Sequence, residues 1–157
     1  VLDTFEIARK NLKENKFSEK VLLKNFGLGK KEREETFLFS RRAKGNSGIR
    51  GKLSPSYEKG TGTEKRTVKI KNASSVLTPI LAENKKYKIV MKMDCEGAEY
   101  EILESLNDAE ILSKIDVIML EWHDYGALKI EKYLKDNNFI IFSRNLGPIS
   151  GMIYAVR

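Results

Sequence analysis

The stretch that most restricts the fold is KIVMKMDCEGAEYEILESL, residues 88–106. It opens with an apolar run at 89–93 that only Lys92 interrupts, a pattern typical of a parallel strand buried on both faces. The run stops at an acidic corner, Asp94-Cys95-Glu96-Gly97. Apolar residues then recur at helical spacing as far as Leu106. The stretch therefore predicts a strand, a tight turn and an amphipathic helix.

The same arrangement recurs directly downstream, where the run IDVIML at 115–120 ends at Glu121-Trp122-His123-Asp124. A strand–helix–strand unit of this length is typical of a right-handed crossover between parallel neighbours. Ligands of open α/β sheets bind beyond the carboxyl ends of such strands. We therefore expect Asp94 and Glu96 to face Glu121 and His123, the only histidine of the chain, across one crevice.

This crevice is the predicted catalytic site. His123 is the candidate general base because imidazole accepts protons near neutral pH, and Glu121 or Asp94 could orient it or bind substrate hydroxyls. A divalent cation such as Mg²⁺ or Mn²⁺, held by these side chains and Glu96, is a second interpretation; we favour a site without metal. In a third, Asp94 or Glu96 only caps a helix that begins near Gly97.

Neighbouring residues have simpler interpretations. Cys95 is expected to be a small packing residue and not a reactive thiol. Trp122 and Tyr125 suit either a substrate pocket or the core. We expect three glutamates of the helix to lie on its solvated face or to complement its dipole: Glu99, Glu101 and Glu104.

The positive charge of the chain is concentrated in one segment. Ser40–Arg66 contains eight basic and two acidic residues, whereas the whole chain carries +7. Because this segment is rich in glycine and poor in apolar residues, we predict a flexible insertion within a single domain, 1–157. It is either a solvated loop or a lid or phosphate-binding arm that faces the substrate. Its only aromatic residue is Tyr57, so it lacks the interleaved aromatics of single-strand nucleic-acid binders. We expect no nucleic-acid partner.

Two absences in the sequence bear on localisation. No apolar run approaches the length of about 20 residues that a membrane span needs, and the first residues show no signal-peptide pattern. A single cysteine excludes an internal disulfide and favours a reducing compartment. We therefore predict a cytoplasmic protein without a membrane span.

The remaining patterns predict an α/β fold with a mostly parallel sheet and an antiparallel end. The closing strands are joined by a connection too short for a parallel pair. Asn72 is the predicted cap of a helix that Pro79 kinks or restarts. In chain order, the other expected elements are a helix at 3–15, a strand at Val21–Lys24, hairpin strands at Glu35–Phe39 and Thr67–Ile70, a helix at Leu128–Lys135, and the closing strands at Phe139–Ser143 and Met152–Val156.

The segment MKMDCEGAEYEIL resembles the central signature of the FkbM family of methyltransferases, and its D-x-E-G-x-E core spans Asp94–Glu99. TVKIKNASSVL, IMLEWH, the closing strand pair, FEIARKNLKEN and VLLKNFGLG are similar to the family in the same order. The resemblance implies a Rossmann-like methyltransferase sheet, S-adenosylmethionine as cofactor, and O-methylation of a small hydroxylated metabolite or sugar. It also implies that Asn25, Phe26 and Gly27 contact the adenine of the cofactor.

The sequence departs from the family pattern at one point. A family domain normally starts with a strand, a glycine-rich cofactor turn, a helix and a second strand, and these do not precede Val1. We therefore expect the chain to be the C-terminal two-thirds of a longer polypeptide, which alone binds the cofactor weakly. The alternative function is a non-catalytic module that binds a polyanion or nucleic acid through the basic segment at 40–66.

Overall fold

The computed structural model describes residues 1–40 and 63–157, so most of the basic segment predicted as a flexible insertion, 41–62, lies outside the described residues. The elements in chain order are α1 (Leu2–Glu14), β1 (Gly27–Gly29), β2 (Arg33–Ser40), β3 (Thr63–Asn72), α2 (Ala73–Glu83), β4 (Val90–Met93), α3 (Glu99–Asp108), a 3₁₀ turn (Leu112–Lys114), β5 (Val117–His123), α4 (Leu128–Asp136), β6 (Ile140–Asn145) and β7 (Ser150–Val156).

The strands form two sheets. One has the order β1-β3-β2 and the other β4-β5-β7-β6. β1 is parallel to β3 and β4 to β5, whereas β2 is antiparallel to β3, and β7 is antiparallel to both β5 and β6. The α/β class, the hairpin and the antiparallel closing strands are confirmed. The prediction of one mostly parallel sheet is wrong for the described residues, because β7 inserts between β5 and β6.

The hydrophobic core lies on one face of the four-stranded sheet, beneath α3 and α4. Alternate residues of β5 point into it, namely Ile118, Leu120 and Trp122. The fully buried Leu103 and Leu106 of α3 belong to the same core cluster. The prediction that β4 is buried on both faces is wrong, since Val90 is 57% exposed. β4 has β5 as its one paired neighbour among the described strands, and Val90 and Lys92 on its outward face are exposed.

Residue patterns in the sequence predicted most of the helix ends to within a few residues. Asn72 caps α2 as predicted, and its side-chain oxygen accepts a hydrogen bond from the Ser75 amide at 2.7 Å. Pro79 lies inside α2 without ending it. The strand expected at Val21–Lys24 is absent; the chain there has no regular structure, and β1 begins later, at Gly27. Within 1–40 and 63–157, none of the helices has both the length and the apolar character that crossing a bilayer requires.

Glu101 and Glu104 of α3 join the two sheets instead of facing solvent as predicted. Glu101 accepts hydrogen bonds from the Arg33 guanidinium at 2.8 and 3.0 Å and from the Lys30 amide at 3.0 Å. Glu104 accepts from the ammonium groups of Lys30 at 2.6 Å and Lys129 at 2.8 Å. Both side chains are 27% exposed, so the prediction of a solvated face is wrong for them. These contacts hold Lys30, in the loop before β2, and Arg33, the first residue of β2, on α3. The three-stranded sheet is thereby joined to the helix that packs on the four-stranded sheet.

The close packing of β7 on β5 gives a test of this core. A Cβ on Gly151 would lie 2.6 Å from the Arg144 carbonyl oxygen and 2.7 Å from the Trp122 ring. Gly151→Ala is therefore expected to lower the free energy of unfolding by about 1 kcal/mol, the lower range for overpacking. Urea denaturation measures it. Gly147→Ala, where nothing lies within 4 Å of the added carbon, is the control; equal stabilities of the two variants would contradict this packing.

Candidate active site

The corner between β4 and α3 has an unusual backbone. Glu96 and Gly97 both have positive φ, +51° and +101°. Glycine adopts this region freely, whereas a residue with a Cβ pays roughly 1 kcal/mol or more for it. The two residues reverse the chain within a few positions and carry it from the end of the strand at Met93 to the start of α3 at Glu99.

The amides of this corner are held by Glu99, which was predicted to lie on the solvated face of the helix. That prediction is wrong, because Glu99 is 0% exposed. Its carboxylate accepts hydrogen bonds from the Cys95 amide at 2.8 Å and the Gly97 amide at 2.9 Å. A corner that turns backbone N–H groups inward needs an acceptor, since buried amides are almost always paired. Glu99 supplies it from the first turn of the helix.

The capping interpretation of Asp94 and Glu96 is wrong. The N-cap residue of α3 is Ala98, with no side-chain capping hydrogen bond. The helix also begins at Glu99 and not near Gly97, so both carboxylates lie upstream of the cap. The acidic residues that complement the helix dipole are Glu99 and Glu101 in the first turn.

β5 continues to His123, so Glu121 and His123 lie two residues apart on one strand face. The Nε2 atom of His123 lies 3.6 Å from Glu121 Oε1 and 3.9 Å from Glu96 Oε2. Its Nδ1 atom lies 3.2 Å from Glu99 Oε1. One polar atom each of Asp94, Glu96 and His123 falls within 4.8 Å of the others. The four predicted site residues thus meet at one place, and Glu99 joins them from beneath.

The crowding of carboxylates changes the titration of Glu96. Burial raises the pKa of Glu96, and the nearby charges of Asp94, Glu121 and Glu99 raise it further, while His123 opposes them. The ionised form of Glu96 therefore destabilises the folded protein. Burial, followed by the charge of Glu99, also raises the pKa of the Cys95 thiol to about 11, which keeps the thiol protonated and suits the expected packing role.

The raised pKa of Glu96 predicts how stability depends on pH. A carboxyl whose folded pKa exceeds its unfolded value loses stability as the pH rises through the folded pKa. Glu96→Gln should therefore increase the free energy of unfolding at pH 7 by up to about 1 kcal/mol, within the range for partly exposed charges. The gain should shrink as the pH falls through the raised folded pKa and should be gone below about 4, where the carboxyl is protonated in both states. Urea denaturation at several pH values measures this.

Glu104→Gln is the matched control, with the opposite sign. The ammonium groups of Lys129 and Lys30 lower the pKa of Glu104, so its ionised form stabilises the fold above the unfolded pKa. Removing that charge should cost stability at pH 7, by less than about 1 kcal/mol, and the cost should vanish in acid. The same pH trend in both variants would contradict the electrostatic description of the crevice.

The chemistry open to these side chains is of two kinds. An imidazole nitrogen beside carboxylates can accept a proton from a hydroxyl group while the carboxylates bind its neighbours. The cluster of Asp94, Glu96 and His123 also offers oxygen and nitrogen ligands that could hold a divalent cation such as Mg²⁺ or Mn²⁺. Proton transfer remains our favoured interpretation.

A cavity of about 880 Å³ adjoins the crevice. Asn25, Phe26 and Gly27, the residues predicted to contact a cofactor, line one part of it, and Cys95 and Ala98 of the acidic corner line another. Most of the other lining side chains are apolar and come from α1, β2 and β3, among them Phe5, Phe37 and Ile70. The cavity therefore reaches the acidic corner at Cys95 and Ala98, although none of the four residues of the crevice lines it.

The two aromatic residues beside His123 have different places. Trp122 is buried in the core, where its ring packs against Gly151. Tyr125 is exposed, and its ring meets Tyr100 edge-on at a centroid distance of 5.4 Å. Trp122 is therefore a core residue, whereas Tyr125 lies at the surface near the site.

Comparison with known proteins adds the family. The family model described as the methyltransferase FkbM domain matches residues 4–141, which include most of α1, every element from β1 to α4 and all of the residues of the crevice. No curated protein and no solved structure matches the chain. Since the family match covers most of the sequence, the chain belongs to the FkbM family of methyltransferases.

Proposed function

We propose that this protein is a Rossmann-like, S-adenosylmethionine-dependent methyltransferase that methylates a hydroxyl oxygen of a small hydroxylated metabolite or sugar. The observation that carries the proposal is the convergence of Asp94, Glu96, Glu121 and His123 at the carboxyl ends of β4 and β5. The family match supplies the reaction class. The single cysteine supports action in the cytoplasm.

His123 is the proposed general base. Its Nε2 atom faces the crevice between Glu121 and Glu96, where it would take the proton of the acceptor hydroxyl as the oxygen forms its bond to the methyl carbon. Bound S-adenosylmethionine would supply an electrophilic methyl group on its sulfonium sulfur. The main demand on the protein is to align acceptor oxygen and methyl carbon, since positioning provides much of the rate of such transfers.

The carboxylates are suited to holding a polyhydroxylated acceptor. Asp94 is exposed at the mouth of the crevice, and Glu121 is half-buried beside His123. Ionised carboxylates accept hydrogen bonds from hydroxyl groups, and such charge-assisted bonds are the stronger kind. Their negative charge also favours a cationic sulfonium nearby. Their capacity to accept hydrogen bonds supports a sugar-like acceptor over an apolar one.

The cavity fits the adenosine part of the cofactor. Its volume, about 880 Å³, lies in the range of roughly 300–1,000 Å³ for small-molecule sites. Phe26 and Asn25 line the cavity, and an aromatic ring and an amide are groups that can bind the face and the edge of adenine. At Gly27 a Cβ would come within 2.5 Å of Ile70 Cδ1, so the backbone there lies close to the cavity wall. Asn25, Phe26 and Gly27 would hold the adenine end.

The alternative function, a module that binds a polyanion or nucleic acid, depends on the basic segment 40–66, of which 41–62 lies outside the described part of the chain. The crevice beside His123, by contrast, is acidic, and polyanions would be repelled from it. We therefore retain the methyltransferase as the one proposed function.

Calorimetric titration of the complete gene product with S-adenosylmethionine tests the proposal, followed by assays of S-adenosylhomocysteine release with a panel of sugars and other hydroxylated metabolites. Phe26→Ala should weaken cofactor binding about 10-fold, the usual scale for a lost base–aromatic stack. Phe17→Ala is the control, since Phe17 is half-exposed and does not line the cavity. Absence of cofactor binding, or equal losses in the two variants, would contradict the proposal.

A further inference from the structure

Glu99 is the one ionisable side chain that is fully buried among the described residues. Burying a carboxylate is costly unless donors compensate for the lost water. Three nitrogen atoms surround this one, the amides of Cys95 and Gly97 and the Nδ1 atom of His123. The residue therefore connects the acidic corner after β4 with the end of β5.

We propose that Glu99 is a positioning residue that holds His123 with its neutral-state proton on Nδ1, which leaves Nε2 as the acceptor in the crevice. The Glu99 oxygen that faces His123 already accepts the amide hydrogen of Cys95. A second contact at that oxygen, at 3.2 Å, is a hydrogen bond when the ring nitrogen donates. Nδ1 then carries the proton.

This arrangement matters for the proposed reaction, on which its catalytic consequence rests. The hydrogen bond at one ring nitrogen sets the protonation of the other. Without such a partner a neutral histidine ring favours the proton on Nε2, and Nε2 could not then serve as the base. Once Nε2 has taken a proton from the acceptor, the buried carboxylate also stabilises the charged ring.

A purely structural role for Glu99 would be to hold the corner amides alone. That role predicts lost stability on substitution but no preference for either ring nitrogen. The measurement must therefore report on the ring itself, and the sequence makes this simple because His123 is the only histidine. A ¹⁵N-histidine-labelled protein gives one pair of imidazole nitrogen signals.

Nitrogen-15 NMR at about pH 8.5, where an ordinary imidazole is neutral, is expected to show the proton mainly on Nδ1. A ring with its proton mainly on Nε2 would overturn the proposal. This arm needs no variant, so it decides the question even where substitutions at position 99 prevent folding. It also needs no activity. If the protein transfers methyl groups while its ring proton is on Nε2, the proposed role of Glu99 fails but the proposed function stands. If the ring proton is on Nδ1 but no methyl transfer occurs, the role of Glu99 stands and the proposed function fails.

Glu99→Ala, with Ser105→Ala as control, tests the consequence. Ser105 is the other buried polar residue among those described; it lies on the same helix and bonds to Ser74 and Asn72. In Glu99→Ala the ring proton should move toward Nε2 and kcat should fall about 10-fold or more, the scale for loss of an orienting partner. Ser105→Ala should lower the stability of the protein while the tautomer of His123 and kcat stay unchanged. An unchanged tautomer in folded Glu99→Ala, or equal loss of kcat in both variants, would overturn the proposal.

Discussion

His123→Ala is expected to lower the turnover of the complete gene product by about 10²-fold or more, the usual scale for a lost general base. The imidazole is the one group of its kind in the chain, and its Nε2 atom faces the carboxylates of the crevice. The affinity for S-adenosylmethionine should change little, because His123 does not line the cavity assigned to the cofactor. Steady-state kinetics and calorimetry measure the two quantities separately.

Asp136→Asn is the control for this experiment. Asp136 is exposed at the end of α4, where it pairs with Lys132, and it belongs to neither the crevice nor the cavity. Its turnover should equal that of the unmodified protein. Normal turnover in His123→Ala, or a similar loss in both variants, would remove His123 as the base.

Asp94→Asn is expected to reduce turnover about 10-fold or more without lowering the melting temperature. The change keeps the size of the side chain but removes a charge, and a hydrogen bond to a charged group contributes about 1.5–3 kcal/mol. Stability should be preserved because α3 has no side-chain cap and no described residue hydrogen-bonds to the Asp94 carboxylate. Kinetics and thermal denaturation of the same samples test both statements.

Asp94→Ala separates function from capping more strictly. A capping carboxylate would cost roughly 0.5–2 kcal/mol of stability when replaced by alanine, whereas the structure predicts no such loss. Asp108→Asn is the control, an exposed acidic residue at the other end of α3 that pairs with Lys30. Lost stability in Asp94→Ala with normal turnover in Asp94→Asn would return Asp94 to a structural role.

Local patterns in the sequence identified the elements that build the site. The apolar run before Asp94, the helical spacing behind it and the second run before Glu121 each depend on neighbouring residues only. The approach of His123 to Glu96 followed from them, because consecutive strand–helix–strand units usually place their strands side by side. β4 and β5 are parallel neighbours, as expected.

The arrangement of the sheets could not be predicted in the same way. Strand pairing is set by contacts far apart in the sequence, and β7 pairs along its length with β5 on one side and β6 on the other. The predicted strand at Val21–Lys24 had the right composition but no partner, and the short strand Gly27–Gly29 pairs with β3 instead. Composition alone does not say which segment finds a neighbour.

The helical spacing of position 99 indicated that Glu99 is buried, whereas its charge indicated that it is exposed. Positions 99, 102, 103 and 106 have the spacing of one helix face, and the other three are buried leucines or isoleucine. Charged residues are seldom buried, so the sequence predicts a solvated glutamate at this position. The inward amides of the corner explain the exception, and they depend on the positive φ at Glu96 and Gly97, which composition does not reveal.

The most direct test of the central claim is to follow the methyl group itself. The complete gene product is incubated with ¹³C-methyl-S-adenosylmethionine and an acceptor that supports turnover, and the product is examined by ¹³C NMR. The proposed mechanism predicts one new methyl ether resonance, formed at least about 10²-fold more slowly by His123→Ala. A label bound to nitrogen, carbon or sulfur, or a methyl ether formed equally fast without His123, would contradict it.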